Sequence, residues 1–316
     1  MKKLAVVMTI LIVSLIVGVL WWQDGTSPVN SINKEPTIFV IQKGAGIREI
    51  SNNLKQQGLI KNSIVFFLLV KQLGLDKKIE AGDFRLNPSM NTEEIAQNLT
   101  HGTLDIWITI PEGKRASEIA EILQEKMSTY DSSWKNFLSQ NEGYLFPDTY
   151  LISKDADIEM IVTQMLRNFE QKYATIDTNG KDRGKIVTLA SLIEREAITD
   201  AEKPIIAGIL TNRLNVGMAL QVDATIQYAK GKNGSNNKWW EPVSLEEYKS
   251  VKSDYNTYLF TGFPPGPISN PGLEALRAAA NPSKTDYFYY LHDASGKIRY
   301  AKTLQEHNAN IQRYGL

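Results

Sequence analysis

The chain reads as an α+β protein with three successive parts: a membrane-spanning helix, a strand-helix module, and a mainly helical domain with a small C-terminal β-hairpin. Three observations predict this class. Leu4 to Trp22 contains no charged residue. A strand, a glycine and a helical periodicity recur twice before residue 130. Beyond about residue 131 apolar side chains fall at helical spacing over longer segments. The predicted division is 1–22 for the span, 23–36 for a linker, 37–130 for the module and 131–316 for the helical domain.

At 1.5 Å per residue, about 19 uncharged residues nearly cover a hydrocarbon layer roughly 30 Å thick. A cleaved signal peptide would have a shorter apolar stretch and a small-residue cleavage site; this run ends in Trp21-Trp22-Gln23-Asp24. Paired Trp suits the membrane interface, and Lys2 and Lys3 place the N-terminus in the cytoplasm, so the rest of the chain is predicted outside it. Residues 23–36 are polar with Gly and two Pro, a linker composition.

Whole-chain composition excludes several function classes. Lys+Arg and Asp+Glu are both 35 in 316 residues, so no net field favours nucleic acid. Absence of cysteine removes thiol catalysis and Cys-based metal sites. The three histidines, His101, His292 and His307, show no ligand spacing and read as surface or capping residues. No phosphate-binding glycine loop, His-Glu-x-x-His or Gly-x-Ser-x-Gly motif is present, and no metal or cofactor is expected.

Along the module, Ile38-Phe39-Val40 predicts a strand, and Gly44 precedes a helical pattern through Ile47, Ile50 and Leu54. Ile106, Ile108 and Ile110 repeat the strand, followed by Gly113, Ile119 and Leu123. Between the copies lie an apolar helix from Ser63 to Leu73, a strand from Glu80 to Leu86, and a helix with Thr92 as N-cap. These units resemble LysM domains, with either a glycan-binding or a spacer role. In the helical domain, helices are predicted over 158–173, 185–198, 205–214 and 303–314. Tyr287 to Leu291 and Lys297 to Ala301 form a hairpin around Asp-Ala-Ser-Gly, and 231–238 is a polar loop.

A carboxylic acid held against apolar surface keeps its proton at higher pH and can act as a general acid. Ile186 to Ala197 carries two such candidates, Glu194 and Glu196, on opposite flanks of an apolar stripe, with Arg195 pointing away from it. The helix alone leaves both open. Gln221, Asp223 and Thr225 alternate amide, carboxylate and hydroxyl groups. Tyr255-Asn256-Thr257-Tyr258 leads into 261–272, whose four Pro and three Gly make a rigid loop. Aromatic faces pack on sugar rings and amides bind hydroxyls, so these segments suit a glycan cleft; the loop also reads as a structural turn. Glu142 and Tyr144, in Glu142-Gly143-Tyr144-Leu145-Phe146-Pro147-Asp148-Thr149-Tyr150, carry the same two readings.

These motifs, with Asn212-Arg213-Leu214, Gly217-Met218 and Asn270-Pro271-Gly272, resemble the YceG-like family of endolytic murein transglycosylases in order and spacing from Thr37 onward. The resemblance implies a bacterial cytoplasmic-membrane enzyme that cleaves the MurNAc-GlcNAc β-1,4 bond of peptidoglycan strands. It further implies 1,6-anhydro ends, termination of glycan elongation, and the synthases known as penicillin-binding proteins as partners. It places the catalytic acid/base on Glu196, second acidic residue of a Glu-x-Glu motif. Substrate binding then falls to Glu142, Tyr144, Gln221, Asp223, Thr225, Tyr255, Asn256, Thr257 and Tyr258. Lytic transglycosylases more widely carry Ser or Thr after the catalytic Glu; Ala197 stands here, so that hydroxyl is absent or supplied by another group. A hydrolytic muramidase and a non-catalytic wall-binding scaffold are the rival readings.

Overall fold

The computed structural model describes residues 2–100, 105–232 and 238–314. His101 and most of the loop expected at 231–238 lie outside the described residues. Helix α1 (Lys2–Thr26) contains a stretch, Val7–Thr26, long and apolar enough to cross a membrane. Packing divides the chain into two units, 1–107 with 151–155 and 108–150 with 156–316. The change of composition near 130/131 therefore does not coincide with the packing boundary.

In the first unit α1 is followed by β1 (Thr37–Ile41), α2 (Ile47–Gln56), α3 (Ser63–Gln72), β2 (Gly82–Leu86) and α4 (Thr92–Asn98). Strands β1 and β2 pair antiparallel with Phe39 opposite Phe84. The strand period of two puts Phe39 and Ile41 in the core with Ile50, Leu54, Phe66 and Ile95, and leaves Ile38 and Val40 exposed. The N-cap of α4 is Asn91, not Thr92. Its Oδ1 accepts from Glu93 N and Glu94 N, and Glu94 accepts from Asn91 N at 2.8 Å, closing a capping box. Thr92 is instead buried and donates to Gly25 O at 3.0 Å.

The internal repeat holds at the level of local conformation. Gly44 and Gly113 both adopt positive φ (89° and 72°), and Ile50 and Ile119, Leu54 and Leu123 are buried in both copies. The copies part company in their strand partners, since β3 (Asp105–Thr109) pairs with β4 (Thr149–Ser153).

The second unit runs through α5 (Ala116–Lys126), α6 (Trp134–Ser139), α7 (Ile158–Tyr173), α8 (Arg183–Glu196), α9 (Lys203–Asn215), α10 (Asp223–Lys230), α11 (Glu247–Ser250) and α12 (Leu273–Ala280). The hairpin β5 (Tyr289–His292) and β6 (Ile298–Ala301) follows, and α13 (Leu304–Tyr314) closes the chain. The Asp293 carboxylate accepts from Ser295 N and Lys297 N and so shapes the hairpin turn. At the centre is α8, which packs against α9, α10 and α12. Every side chain from Ile186 to Ile193 is buried, so α8 is enclosed on all sides and is not the half-exposed helix its apolar stripe predicts. The rigid loop before α12 lies behind α8. Ile268 N donates to Ser191 Oγ at 3.0 Å, Ser269 Oγ donates to Ser191 O, and Pro267 occupies the space beside Gly143.

Candidate active site

A cavity of about 640 Å³ opens in the second unit where the end of α8, the start of α10, the hairpin and α13 meet. Its lining includes Arg195, Glu196, Arg213, Gln221, Asp223, Gln227, Tyr258, Tyr290, His292 and His307.

The two glutamates of α8 have different surroundings. Glu194 accepts from Lys203 Nζ at 3.1 Å and from Gly272 N, the N-cap of α12, at 3.0 Å. It ties three helices together. Glu196 is the last residue of α8, and its Oε2 accepts a 2.6 Å hydrogen bond from Tyr290 OH on β5. Burial pushes the Glu196 carboxyl above its ordinary range, the Asp223 charge reinforces this, and the Tyr290 hydrogen bond, His292 and Arg195 oppose it. The negative end of the α8 dipole acts in the same direction as burial. Burial beside Glu196 in turn holds the Tyr290 phenol protonated far above its usual range, so it stays a donor.

Asp223 is placed by backbone bracing. Gln221 N donates to Thr257 O, Val222 N donates to Thr257 Oγ1 at 3.0 Å, and Thr225 Oγ1 meets Thr257 Oγ1 at 3.0 Å. This fixes Asp223 as the first residue of α10, and the hydroxyls of Tyr258 and Tyr248 both donate to its carboxylate. The two phenol rings stack with centroids 4.2 Å apart. Gln221 has φ 52°, a conformation unfavourable to a non-glycine residue, and its side chain is exposed in the cavity.

Of the residues singled out from sequence, Glu196, Gln221, Asp223 and Tyr258 line this cavity. Thr225, Asn256 and Thr257 are fully or almost fully buried, and the hydrogen bonds of each run to neighbouring chain segments. Asn256 Oδ1 accepts from Tyr258 N, while its amide group donates to Tyr248 O and Val251 O. These three act on the cavity by holding Asp223 and Tyr258. Glu142 caps α5 by accepting from Ala116 N at 3.0 Å and from Asn270 Nδ2 at 2.9 Å. Tyr144 packs on Phe169 and Tyr255 on Tyr228, with ring centroids 5.1 and 4.8 Å apart. None of these three is among the cavity-lining residues.

Several lining residues are not among those singled out from sequence as site residues. Tyr290 sits in a hairpin strand among four tyrosines between 287 and 300. Arg213, in the Asn-Arg-Leu motif, is buried and donates to Leu220 O and Phe288 O, each at 2.6 Å, joining the Gln221 segment to the hairpin. His292 bonds Glu202 at 3.1 Å and His307 stacks on Tyr289, so both histidines border the cavity and are not isolated surface groups.

The arrangement is that of a carboxyl raised by burial, lining a polar cleft on a helical scaffold. The chain belongs to the YceG-like family, which it matches over residues 39–313. It is 32% identical over 321 residues to an endolytic murein transglycosylase of Bacillus subtilis (strain 168), covering 91% of this chain and 87% of that protein. It is 29% identical over 336 residues to an endolytic murein transglycosylase of Streptococcus pneumoniae serotype 2 (strain D39 / NCTC 7466), covering 92% of this chain. The match extends over 60% of the length of the pneumococcal protein. A crystal structure of a YceG-like protein from Listeria monocytogenes superposes with a TM-score of 0.55 at 31% identity, covering 87% of this chain and 99% of that one.

Proposed function

We propose that this chain is a membrane-anchored endolytic murein transglycosylase with Glu196 as its acid/base. The single observation that carries the reading is the Glu196 carboxyl, raised by burial and placed at a polar cavity beside Asp223. The relatives' names supply the reaction class. Protonated Glu196 gives its proton to the glycosidic oxygen as the MurNAc C1–O bond breaks. The resulting carboxylate then takes the proton of the same sugar's C6 hydroxyl as that oxygen bonds to C1, leaving a 1,6-anhydro end and a restored acid. The nucleophile belongs to the substrate, so no second protein carboxylate is required, unlike the paired-carboxylate hydrolases. Asp223, Tyr258 and Gln221 serve to seat the sugar. The Tyr290 hydroxyl takes the part of the Ser or Thr that Ala197 replaces, orienting Glu196 and stabilising its charged form between the two steps.

In the same reading α1 spans the cytoplasmic membrane with its N-terminus inside, and nascent glycan strands made by penicillin-binding proteins are the substrate whose elongation is ended. Residues 37–130 are read here as the LysM-like module. Glu196→Gln retains the side-chain shape but cannot deliver a proton, so anhydro-end formation from isolated strands should fall by about 10² or more with folding intact. Mass spectrometry of the digests reads this directly. Activity retained in Glu196→Gln removes the assignment. Asp223, a second carboxylate at the same cavity, is what favours the hydrolytic reading, and purely reducing ends from the wild type would establish it over ours.

A further inference from the structure

Helix α3 carries seven consecutive apolar residues, Ile64 to Val70, more than one core-facing stripe can absorb. Val65, Phe66, Leu69 and Val70 are buried. Ile64 and Leu68 are 61% and 43% exposed, and with Phe67 they form one row at i, i+3 and i+4. Beside that row a pocket of about 390 Å³ opens between α3 and α2, with the exposed Arg48 guanidinium 5.5 Å from the Phe67 ring. Among the described residues Arg48 has no carboxylate partner.

This surface adjoins the end of α1. A Cβ on Gly25 would come within 2.5 Å of Val65 Cγ2, so the Val65 side chain packs directly on the backbone of α1. Lys61 pairs with Asp24 at 3.0 Å and donates to Ser27, and Thr92 holds Gly25 O. Gly25 lies four residues beyond Trp21, about 6 Å along the helix axis. The headgroup layer on each side of the hydrocarbon has about this thickness. With α1 as the anchor and Trp21 at the edge of the hydrocarbon, these contacts would hold the first turn of α3 at headgroup depth. The exposed apolar row starts at Ile64, next to the Val65 that packs on Gly25, and the Arg48 guanidinium stands beside it.

We propose that α3 is a second membrane contact: Ile64, Phe67 and Leu68 insert into the leaflet from which α1 emerges, with Arg48 at the level of the lipid phosphates. The proposal rests on α1 being the membrane anchor and is independent of the catalytic assignment. A helix so held would fix the height and tilt of the first unit above the bilayer, which α1 alone would leave free to rotate.

The absence of native cysteine allows a direct test. Val19→Cys in α1, Ile64→Cys and Leu68→Cys in α3, and Gln56→Cys on the exposed end of α2 are each labelled with an environment-sensitive fluorophore in the full chain. The labelled proteins are placed in phosphatidylethanolamine–phosphatidylglycerol vesicles whose acyl chains are brominated. Quenching at 19, 64 and 68 that is several-fold greater than at 56 is the expected result. Quenching at 19 without quenching at 64 and 68 overturns the proposal and leaves the anchor standing. Loss of quenching at 19 as well overturns the anchor reading itself. A signal at 64 and 68 that appears only at high protein-to-lipid ratio, without quenching by brominated lipid, means that a second copy of the chain covers α3, and the proposal fails.

Discussion

Glu194 and Glu196 are separated by one residue, and the 200° between them on a helix sends them to different tasks. Glu194 is spent on Lys203 and the N-terminus of α12, while Glu196 meets the cavity and Tyr290. Tyr290→Phe is therefore informative, because it removes a hydrogen bond that lowers the Glu196 pKa and little packing. We expect the alkaline limb of the pH–rate profile, where the acid loses its proton, to move to higher pH. Turnover at the optimum should fall about tenfold, the scale of one hydrogen bond to a charged group. An unchanged profile would mean that Tyr290 supports the hairpin and nothing more. Glu194→Gln is expected to lower the melting temperature without a comparable change in turnover per folded molecule, since it weakens a buried ion pair.

At the scale of elements, the cavity is assembled by short braced segments. The Tyr-Asn-Thr-Tyr stretch holds the start of α10 through Thr257 and shapes its own turn through Asn256, whose side chain makes three hydrogen bonds in a fully buried setting. Asn256→Ala leaves Tyr248 O and Val251 O without that donor and should cost about 1–3 kcal/mol, readable as a lower midpoint in urea unfolding. Tyr258→Phe keeps the ring stack on Tyr248 and loses the hydroxyl to Asp223. It should spare the unfolding midpoint and reduce activity. If Asn256→Ala is as stable as wild type, the side chain belongs to substrate and not to the loop.

For the whole molecule, one buried carboxyl outside the cavity gives stability a recognisable pH dependence. Burial pushes Glu142 up to about 7, against hydrogen bonds from Ala116 N and Tyr228 that oppose the shift. Its folded-state pKa is above the unfolded value, so the folded state holds the proton longer. The stability this contributes is complete below about 4.5 and is lost as pH rises through about 7. Asp293, held well below the usual range by Ser295 and Arg299, acts with the opposite sign at acid pH. The comparison with Glu142→Gln isolates the first effect. Between pH 4.5 and 7 the wild type should lose melting temperature relative to the variant, and above 7 the gap should stay constant. A gap that does not change with pH would place the Glu142 carboxyl near its ordinary value.

Local patterns determined much of this protein. The apolar run of α1, the alternation in β1, the positions of α7, α9 and α13, and the Asp293 hairpin turn all follow from periodicity and turn chemistry within a few residues of chain. Motif order likewise pointed to Gln221, Asp223 and Tyr258, while Glu196 was singled out by the family resemblance and not by the helix itself. Only the tertiary structure decided which of two flanking glutamates faces the cavity, since both flanks of α8 are equivalent until α12 and the hairpin cover one each. It also turned Thr225, Asn256 and Thr257 into braces and the Pro-rich loop into a support for Ser191, because burial is a property of neighbours that the local chain does not carry. Tyr290 is the clearest case. It lies 94 residues from Glu196, and the hydrogen bond between them exists only where packing brings β5 to the end of α8.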